Sequence, residues 1–587
     1  MNKRRKDRGR KKRRKPLTWK GRLFLLAFGI ALVGLLELTL RLTGLAPPYR
    51  TRDPLLEGGK VDRSYVRQTS ASGEAVYVCQ WIRPDYPYNF QPIPARKPED
   101  EKRIFVFGGS SAVGYPFDGR LAFSQFLQTG LDAVVGEDRA RVINVAQNSI
   151  PAGQCLRLMH EMAGYQPDAF VVYSGNNEYD DSHVYREVLK RGRFLTAIRS
   201  AVGHVAIYRG MERALLPVKA RVYDRFEFSE NVLRPPAYSE AERRAIRDNY
   251  EYVIRRMAGF CKQNGIELVL CGVAANEADW PPYRSEFRAA LSEEEKKIWL
   301  QAFESLARRT LSSEPAPNDE ILAGLGTLAE MDDGRADLHY LRGVVFSRSG
   351  KKQEAATSFQ KALDLDGVCY RARPSHNEIV RRVARENGYP FLDVTATLRQ
   401  HAETDLLGEN FFWDHCHPKP EAHQAIAQGL AGALFDVGVL SATERDWKAR
   451  FEKAASSWQE DLKMDARLQA RAWRNVASGW LALWTHHRDE TDSLRTAVAI
   501  RALARAKEFL DKAIETDPKL PGARFYRGVV FAQRGEQQRA MADWRLEMAL
   551  GSQDGPHRAV LEGLLSGAIP PDRGFNSWLA VRNEMVR

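Results

Sequence analysis

The chain is 587 residues long, 44% hydrophobic and 28% charged, too long for one ordinary core and too apolar to be disordered, so two or three packed domains are expected. Its formal net charge of +13 would suit a nucleic-acid partner only if it were spread over a folded surface. Thirteen of the 88 Lys and Arg and one of the 75 acids lie in residues 1–22, so the remainder is nearly neutral and no nucleic-acid partner is expected.

In chain order, the basic run 1–22 is followed at 23–45 by "LFLLAFGIALVGLLELTLRLTGL", uncharged from Leu23 to Leu36 and interrupted by Glu37 and Arg41. A helix of that length, at about 1.5 Å per residue, covers a bilayer core of about 30 Å. A basic flank ahead of one apolar helix predicts a signal-anchor, with a cytoplasmic tail and everything after it exported to the periplasm or cell surface. The competing reading is a cleaved signal peptide, which would want a small-x-small site after the apolar core. Residues 46–100, rich in Pro and aromatics, are expected to form a stalk packed against the next domain. The six cysteines show no C-x-x-C pair, which argues against a zinc ribbon or a disulfide scaffold.

From residue 101 the texture changes. Short apolar segments bounded by turn residues occur at 103–109, 141–146, 168–175, 266–274 and 389–394, separated by helical patterns such as "NYEYVIRRMAGFCKQNG". Such alternation predicts a doubly wound α/β domain around a five-stranded parallel sheet, in two parts, 101–290 and 371–440. The intervening 291–370 is too long for one crossover. It contains "RGVVF" at 342–346, which recurs at 527–531; with Gly343 set on Gly528, Ala355 meets Ala540 and Phe359 meets Trp544. Small residues where two helices approach, with a large residue one turn on, predict helical hairpins whose spacing resembles tetratricopeptide repeats. Residues 441–587 are expected to complete that packing. A groove for a protein partner and simple packing against the α/β domain are both open.

In a parallel sheet, ligands sit beyond the C-terminal edges of the strands. There the sequence has Gly108-Gly109-Ser110-Ser111, then Ala146-Gln147-Asn148, then Gly175-Asn176-Asn177-Glu178 and, after the fifth segment, Asp414-His415-Cys416-His417. The first stretch is not a phosphate loop, because no Lys follows it, and it lacks the G-x-G-x-x-G order of a dinucleotide site. The four blocks, in this order, resemble the SGNH (GDSL-like) hydrolases, within them the branch with tetratricopeptide repeats and a Gly-x-Asn-Glu third block. The resemblance covers roughly residues 103–290 and 370–435.

It implies a flavodoxin-like three-layer fold, with Ser110 rather than Ser111 as nucleophile and Asp414 and His417 completing a triad. It further implies an oxyanion hole from the N–H groups of Ser110 and Ala146 and the amide of Asn177. Three positions depart from the family pattern: Gly109 stands for Asp, Ala146 for Gly and Glu178 for Asp. Chemistry agrees: a Ser hydroxyl needs a base to remove its proton, a neutral imidazole suits that task, and a carboxylate three residues before the imidazole can fix its tautomer.

The expected activity is an esterase or deacetylase acting on an acylated carbohydrate or lipid through an acyl-serine, with no metal or organic cofactor. O-acyl transfer to a cell-surface polysaccharide is the alternative, and a repeat-type scaffold with a vestigial site is the rival from another class. Adjacent donors rarely converge on one ion, so His415 and Cys416 are expected to be packing residues. Residues 275–287 read either as acyl-pocket lining or as surface loop. Residues 184–216, basic and amphipathic, read as a lid, a lipid-facing helix or a solvated one.

Overall fold

The computed structural model describes residues 18–43, 64–79, 92–117, 119–179, 205–208, 211, 237–312, 314–368, 370–402, 406–441, 446–487, 492–551 and 555–571. They fall into two compact units. The first holds α1 (Trp19–Thr43), 25 residues nowhere buried, whose most apolar 18-residue window has a mean hydropathy of 2.4, long and apolar enough to cross a membrane or serve as a signal anchor. Glu37, the acid that interrupts it, accepts the backbone N–H groups of Ala206 (2.8 Å) and Ile207 (2.9 Å) and pairs with Arg41 at 2.7 Å. The basic run up to residue 17 and most of 184–216 lie outside the described residues.

The second unit opens with an antiparallel sheet, β1 (Tyr65–Thr69), β2 (Ala75–Cys79) and β3 (Ile93–Pro94), where a stalk is expected from the sequence. Its strands are short and only partly buried, so they carry no long apolar run to announce them. The parts of the expected stalk at 46–63 and 80–91 lie outside the described residues.

The main sheet comprises β4 (Lys102–Gly108), β5 (Ala140–Asn144), β6 (Ala169–Tyr173), β7 (Glu267–Gly272) and β8 (Phe391–Asp393) in the order β5-β4-β6-β7-β8, every pair parallel. Both of its faces are covered, which is why β6 reads Ala-Phe-Val-Val-Tyr with no polar residue. One face is packed by α3 (Phe123–Val135) and, late in the chain, α12 (Pro420–Asp436); the other by α4 (Ala152–Met162), α5 (Glu240–Asn264) and α10 (Pro374–Asn387). A short α2 (Ser110–Val113) follows β4. Local signals set these helices: Ser239 and Glu242 form a capping box at the start of α5, Gly265 ends it in the left-handed region, and Pro374 and Pro420 begin α10 and α12. The small sheet is pinned to α4, whose Glu161 accepts the N–H groups of Ser64 (3.0 Å) and Tyr65 (2.9 Å). At the edge strand β5, the Gln128 amide of α3 donates to Ala140 O (2.9 Å) and accepts from Val142 N (2.7 Å), as a neighbouring strand would.

Between β7 and α10 lie α6 (Glu293–Leu311), α7 (Asn318–Met331), α8 (Ala336–Arg348) and α9 (Lys352–Leu365). A short α11 (Val394–Gln400) follows β8, and after α12 come α13 (Trp447–Asp461), α14 (Ala466–His487), α15 (Ser493–Thr516), α16 (Ala523–Gln533), α17 (Gln537–Ala549) and α18 (Gly555–Ser566). The repeated motif falls on two helical hairpins, α8–α9 and α16–α17. A Cβ at Gly343 would overlap the Phe359 ring, and one at Gly528 the Trp544 indole, so the same small–large contact closes both. The two helical regions meet, Ser493 donating to Glu304 through N (2.8 Å) and Oγ (2.6 Å). α13 is different: its buried Phe451 and Ala455 join the core beneath α3, so the segment after residue 441 contributes to the α/β layers as well as to the helical region.

Candidate active site

In this strand order β5 is added on one side of β4 and β6 to β8 on the other, and the crevice opened between β4 and β6 at the C-terminal edge is where a doubly wound sheet can hold a ligand. β4 ends at Gly108, and Ser110 begins α2 two residues later. Its Oγ lies 2.8 Å from His417 Nε2, and His417 Nδ1 lies 2.7 Å from Asp414 Oδ2 and 2.9 Å from Oδ1. With Nδ1–H donating to Asp414, Nε2 is left to accept the Ser110 hydroxyl proton. Ser111 is occupied elsewhere: only 2% exposed, it donates to Cys416 O (2.9 Å) and accepts from Asn176 Nδ2 (3.0 Å). Asn176 Oδ1 in turn takes the Ala372 N–H at 2.7 Å. The second serine of the pair is therefore a clasp between three segments, and the first faces the imidazole.

The acid–base loop is a closed turn. Phe412 and Pro418 form a lone antiparallel bridge, Trp413 N donates to His417 O at 2.9 Å, and Asp414 Oδ1 accepts the N–H groups of Cys416 (3.0 Å) and His417 (3.1 Å). Asn276, fully buried after β7, holds the turn from below: its Nδ2 donates to Asp414 O and its N–H to His415 O, both at 3.0 Å. Arg371, also buried, donates to Asn276 O (2.6 Å) and Trp280 O (2.7 Å). The stretch 275–287 is thus neither wholly a surface loop nor simply a pocket wall. Asn276, Glu277, Trp280 and Tyr283 are buried, and Asn276, four residues after β7, carries no mark in the sequence that sets it apart from an ordinary loop residue.

Asn177 lies against the nucleophile's neighbour. Its amide nitrogen donates to Ile150 O at 3.1 Å and sits so close to Gly109 that a Cβ at 109 would overlap it. A side chain at 109 would therefore have to displace the Asn177 amide. Glu178, 1% exposed, accepts Ala152 N–H at the start of α4 (2.9 Å), and burial pushes its carboxyl up to about 7 against the pull of that one hydrogen bond. Ala146 departs from its expected use: its N–H donates to Asn144 Oδ1 (3.0 Å), while Asn144 Nδ2 donates to Ala112 O (2.8 Å) and Ser124 Oγ (2.9 Å). Ser110, first in its helix, has an N–H outside any helical ladder.

Electrostatically the site is one coupled group. Burial alone would raise the Asp414 carboxyl, but His417 and His415 beside it hold it well below the usual carboxylate range. Burial alone would lower His417, yet the Asp414 carboxylate and the Cys416 sulfur outweigh it and raise the imidazole. The expectation that adjacent donors would not converge is corrected here: donor atoms of Asp414, His415, Cys416 and His417 all lie within 4.8 Å of one another, because the turn folds its side chains to one side. Both ring nitrogens of His417 are already engaged, with Asp414 and Ser110.

No family model matches the chain, and no curated protein matches it. Solved structures do. A GDSL-like lipase from Bacteroides thetaiotaomicron is 13% identical, matched over 58% of this chain and 92% of its own, with a TM-score of 0.26. An acetylxylan esterase from Geobacillus stearothermophilus is 13% identical over 59% of this chain and 97% of its own, TM-score 0.26. An alpha/beta hydrolase enzyme from the metagenome of Lake Arreo, Spain, is 13% identical over 57% and 94%, TM-score 0.25. Likeness at that level carries no weight about chemistry.

Proposed function

We propose that the chain is an ester hydrolase of the SGNH type that works through an acyl-serine at Ser110. The observation that carries this reading is the hydrogen-bonded line Ser110–His417–Asp414, with Asn177 beside Gly109 at the same edge. Ser110 Oγ attacks the ester carbonyl as its proton passes to His417 Nε2. The oxyanion of the tetrahedral intermediate takes the Ser110 N–H and the Asn177 amide, and Ala146 N–H would join only by leaving Asn144 Oδ1. Collapse expels the alkoxide, which receives the proton from His417. Water then attacks the acyl-enzyme as His417 takes its proton, and the acid leaves with Ser110 restored. Asp414 fixes the tautomer and stabilises the imidazolium.

The raised imidazole has a signed consequence. His417 acts as a base only when neutral, so the ascending limb of the pH–rate profile lies above that of an unperturbed imidazole. Within the same reading, α1 is a single-pass anchor, its basic flank held in the cytoplasm and the catalytic unit outside it. Fluorophosphonate labelling of the detergent-solubilised chain, with Ser110→Ala beside it, followed by p-nitrophenyl esters from acetyl to octanoyl, tests the chemistry. Labelling lost in the variant alone is the expected result, and a folded wild type that takes no label refutes the reading.

A further inference from the structure

The catalytic reading leaves one contact unused. α14, from the helical region that follows the α/β layers, lies directly against the acid–base loop. Gly479 faces Asp414: a Cβ there would sit 3.4 Å from Oδ2 and 3.6 Å from the Asp414 Cβ. The next residue, Trp480, is fully buried and donates its indole N–H to Trp413 O at 3.2 Å, on the residue that precedes Asp414. Its ring packs on Trp280 (4.6 Å between centroids), which packs on His415 (5.6 Å), while Trp413 packs on Trp473 of the same helix at 5.2 Å. α15 ties the same two loops from outside, Arg501 pairing with Asp279 at 3.0 Å and with Glu409.

We propose that Gly479 and Trp480 are positioning residues for the Asp414–His417 pair, so that the C-terminal helical region forms a wall of the catalytic centre. This rests on the hydrolase reading above. The physical argument is that a carboxylate stabilises an imidazolium most strongly where water is kept from it. Asp414 is 2% exposed, and on the side where a hydrated loop would admit solvent it meets the bare Cα of Gly479. A Cβ at 479 would already touch the acid in ordinary van der Waals contact, so a larger, branched side chain there would press on it. The indole bond to Trp413 O fixes the loop's entry, and a misplacement of about 1 Å in such a group costs about 10²-fold in rate.

The groups that face the pair are His415 and Cys416 on its own loop, His423 on α12, Tyr283 beyond Trp280, and Tyr115, whose ring lies 4.4 Å from that of His417. α14 adds carbon at Gly479 and an indole at Trp480.

The test uses the full chain in detergent, with ester turnover and fluorophosphonate labelling read across pH. Gly479→Val, which adds two methyls beyond a Cβ already in contact with Asp414, is expected to lower kcat about 10²-fold at unchanged KM. It should also move the ascending limb to lower pH, because His417 loses part of the field that raises it. Trp480→Phe, which keeps a ring and removes one N–H, is expected to lower kcat about fivefold with a smaller shift in the same direction. Ala482→Val, on the exposed side of the same helix, is expected to leave both unchanged. If Gly479→Val does not fold, Trp480→Phe carries the test. A labelled wild type whose folded Gly479→Val and Trp480→Phe variants keep both kcat and the limb overturns this inference and leaves the hydrolase reading standing. A loss of kcat with the limb unmoved overturns it too, since helix damage alone produces that. A wild type that takes no label sinks the hydrolase reading itself.

Discussion

Ser110 and Asn177 stand on turns that leave two adjacent strands of one sheet, whereas Asp414 and His417 stand on a turn that leaves no strand and is tied down from far away in sequence. The serine side is placed by β4 and β6, whose paired backbones run from Ile104 beside Ala169 to Gly108 beside Tyr173. The acid–base side depends on Asn276 after β7, on Ser111 and on Trp480 of α14. One half of the site is local geometry and the other is a product of tertiary packing. Changes far from the chemistry should therefore reach the base before they reach the nucleophile.

The largest test of that contrast is Asp414→Asn, expected to lower kcat/KM about 10⁴-fold by presenting the wrong tautomer to Ser110, with the loop intact; steady-state turnover reads it. On the serine side, Gly109→Asp restores the residue of the family pattern, yet here its Cβ would displace the Asn177 amide. A loss of about 10²- to 10³-fold in kcat is expected, and unchanged turnover would mean that Asn177 is no oxyanion donor. Asn276→Ala removes the buried amide that holds Asp414 O and leaves the loop's carbonyl unpaired. About tenfold in kcat and about 1–3 kcal/mol of stability should go with it, measured by turnover and denaturant melts.

Glu178→Gln should act on stability more than on rate. Its carboxyl is pushed from 4.5 to about 7 by burial, so the folded state pays for ionising it while the unfolded state does not. The stability this group supplies is complete below pH 4.5 and is lost as pH rises to about 7. The variant should flatten that part of the profile, by up to about 3 kcal/mol, in melts compared across the window. The smallest effect belongs to Arg501→Ala: its pair with Asp279 is half-exposed, and less than about 1 kcal/mol is expected from the same melts.

Legibility in the sequence followed the same division. The five apolar segments read as strands are the five strands of the main sheet, because residues buried on both faces must be apolar throughout. The strand ends then point to Ser110 and Asn177, whereas Asp414 and His417 are legible from their Asp-x-x-His spacing after the fifth segment. What the sequence concealed was carried by distant pairs: Asn276 reads as an ordinary loop residue, Gly479 as a small residue in a helix, and neither shows its partner without the fold. The small sheet at 65–94 was hidden for another reason, since short half-exposed strands among Pro and aromatic residues carry little periodic signal. Ala146 marks a third kind of gap. Its place at the edge was readable from spacing, but the prior claim of Asn144 on its N–H was not.

Gln128 has a consequence for how copies of this chain behave at high concentration. A parallel sheet ending in an uncovered strand offers unpaired amides and carbonyls as a template on which another molecule can add its own strand. Here one side-chain amide, held on α3, satisfies both an acceptor and a donor of β5, so at these two groups the sheet terminates in a side chain rather than in open backbone. That acceptor and that donor of β5 are thereby withheld from a strand that another molecule might add along this margin.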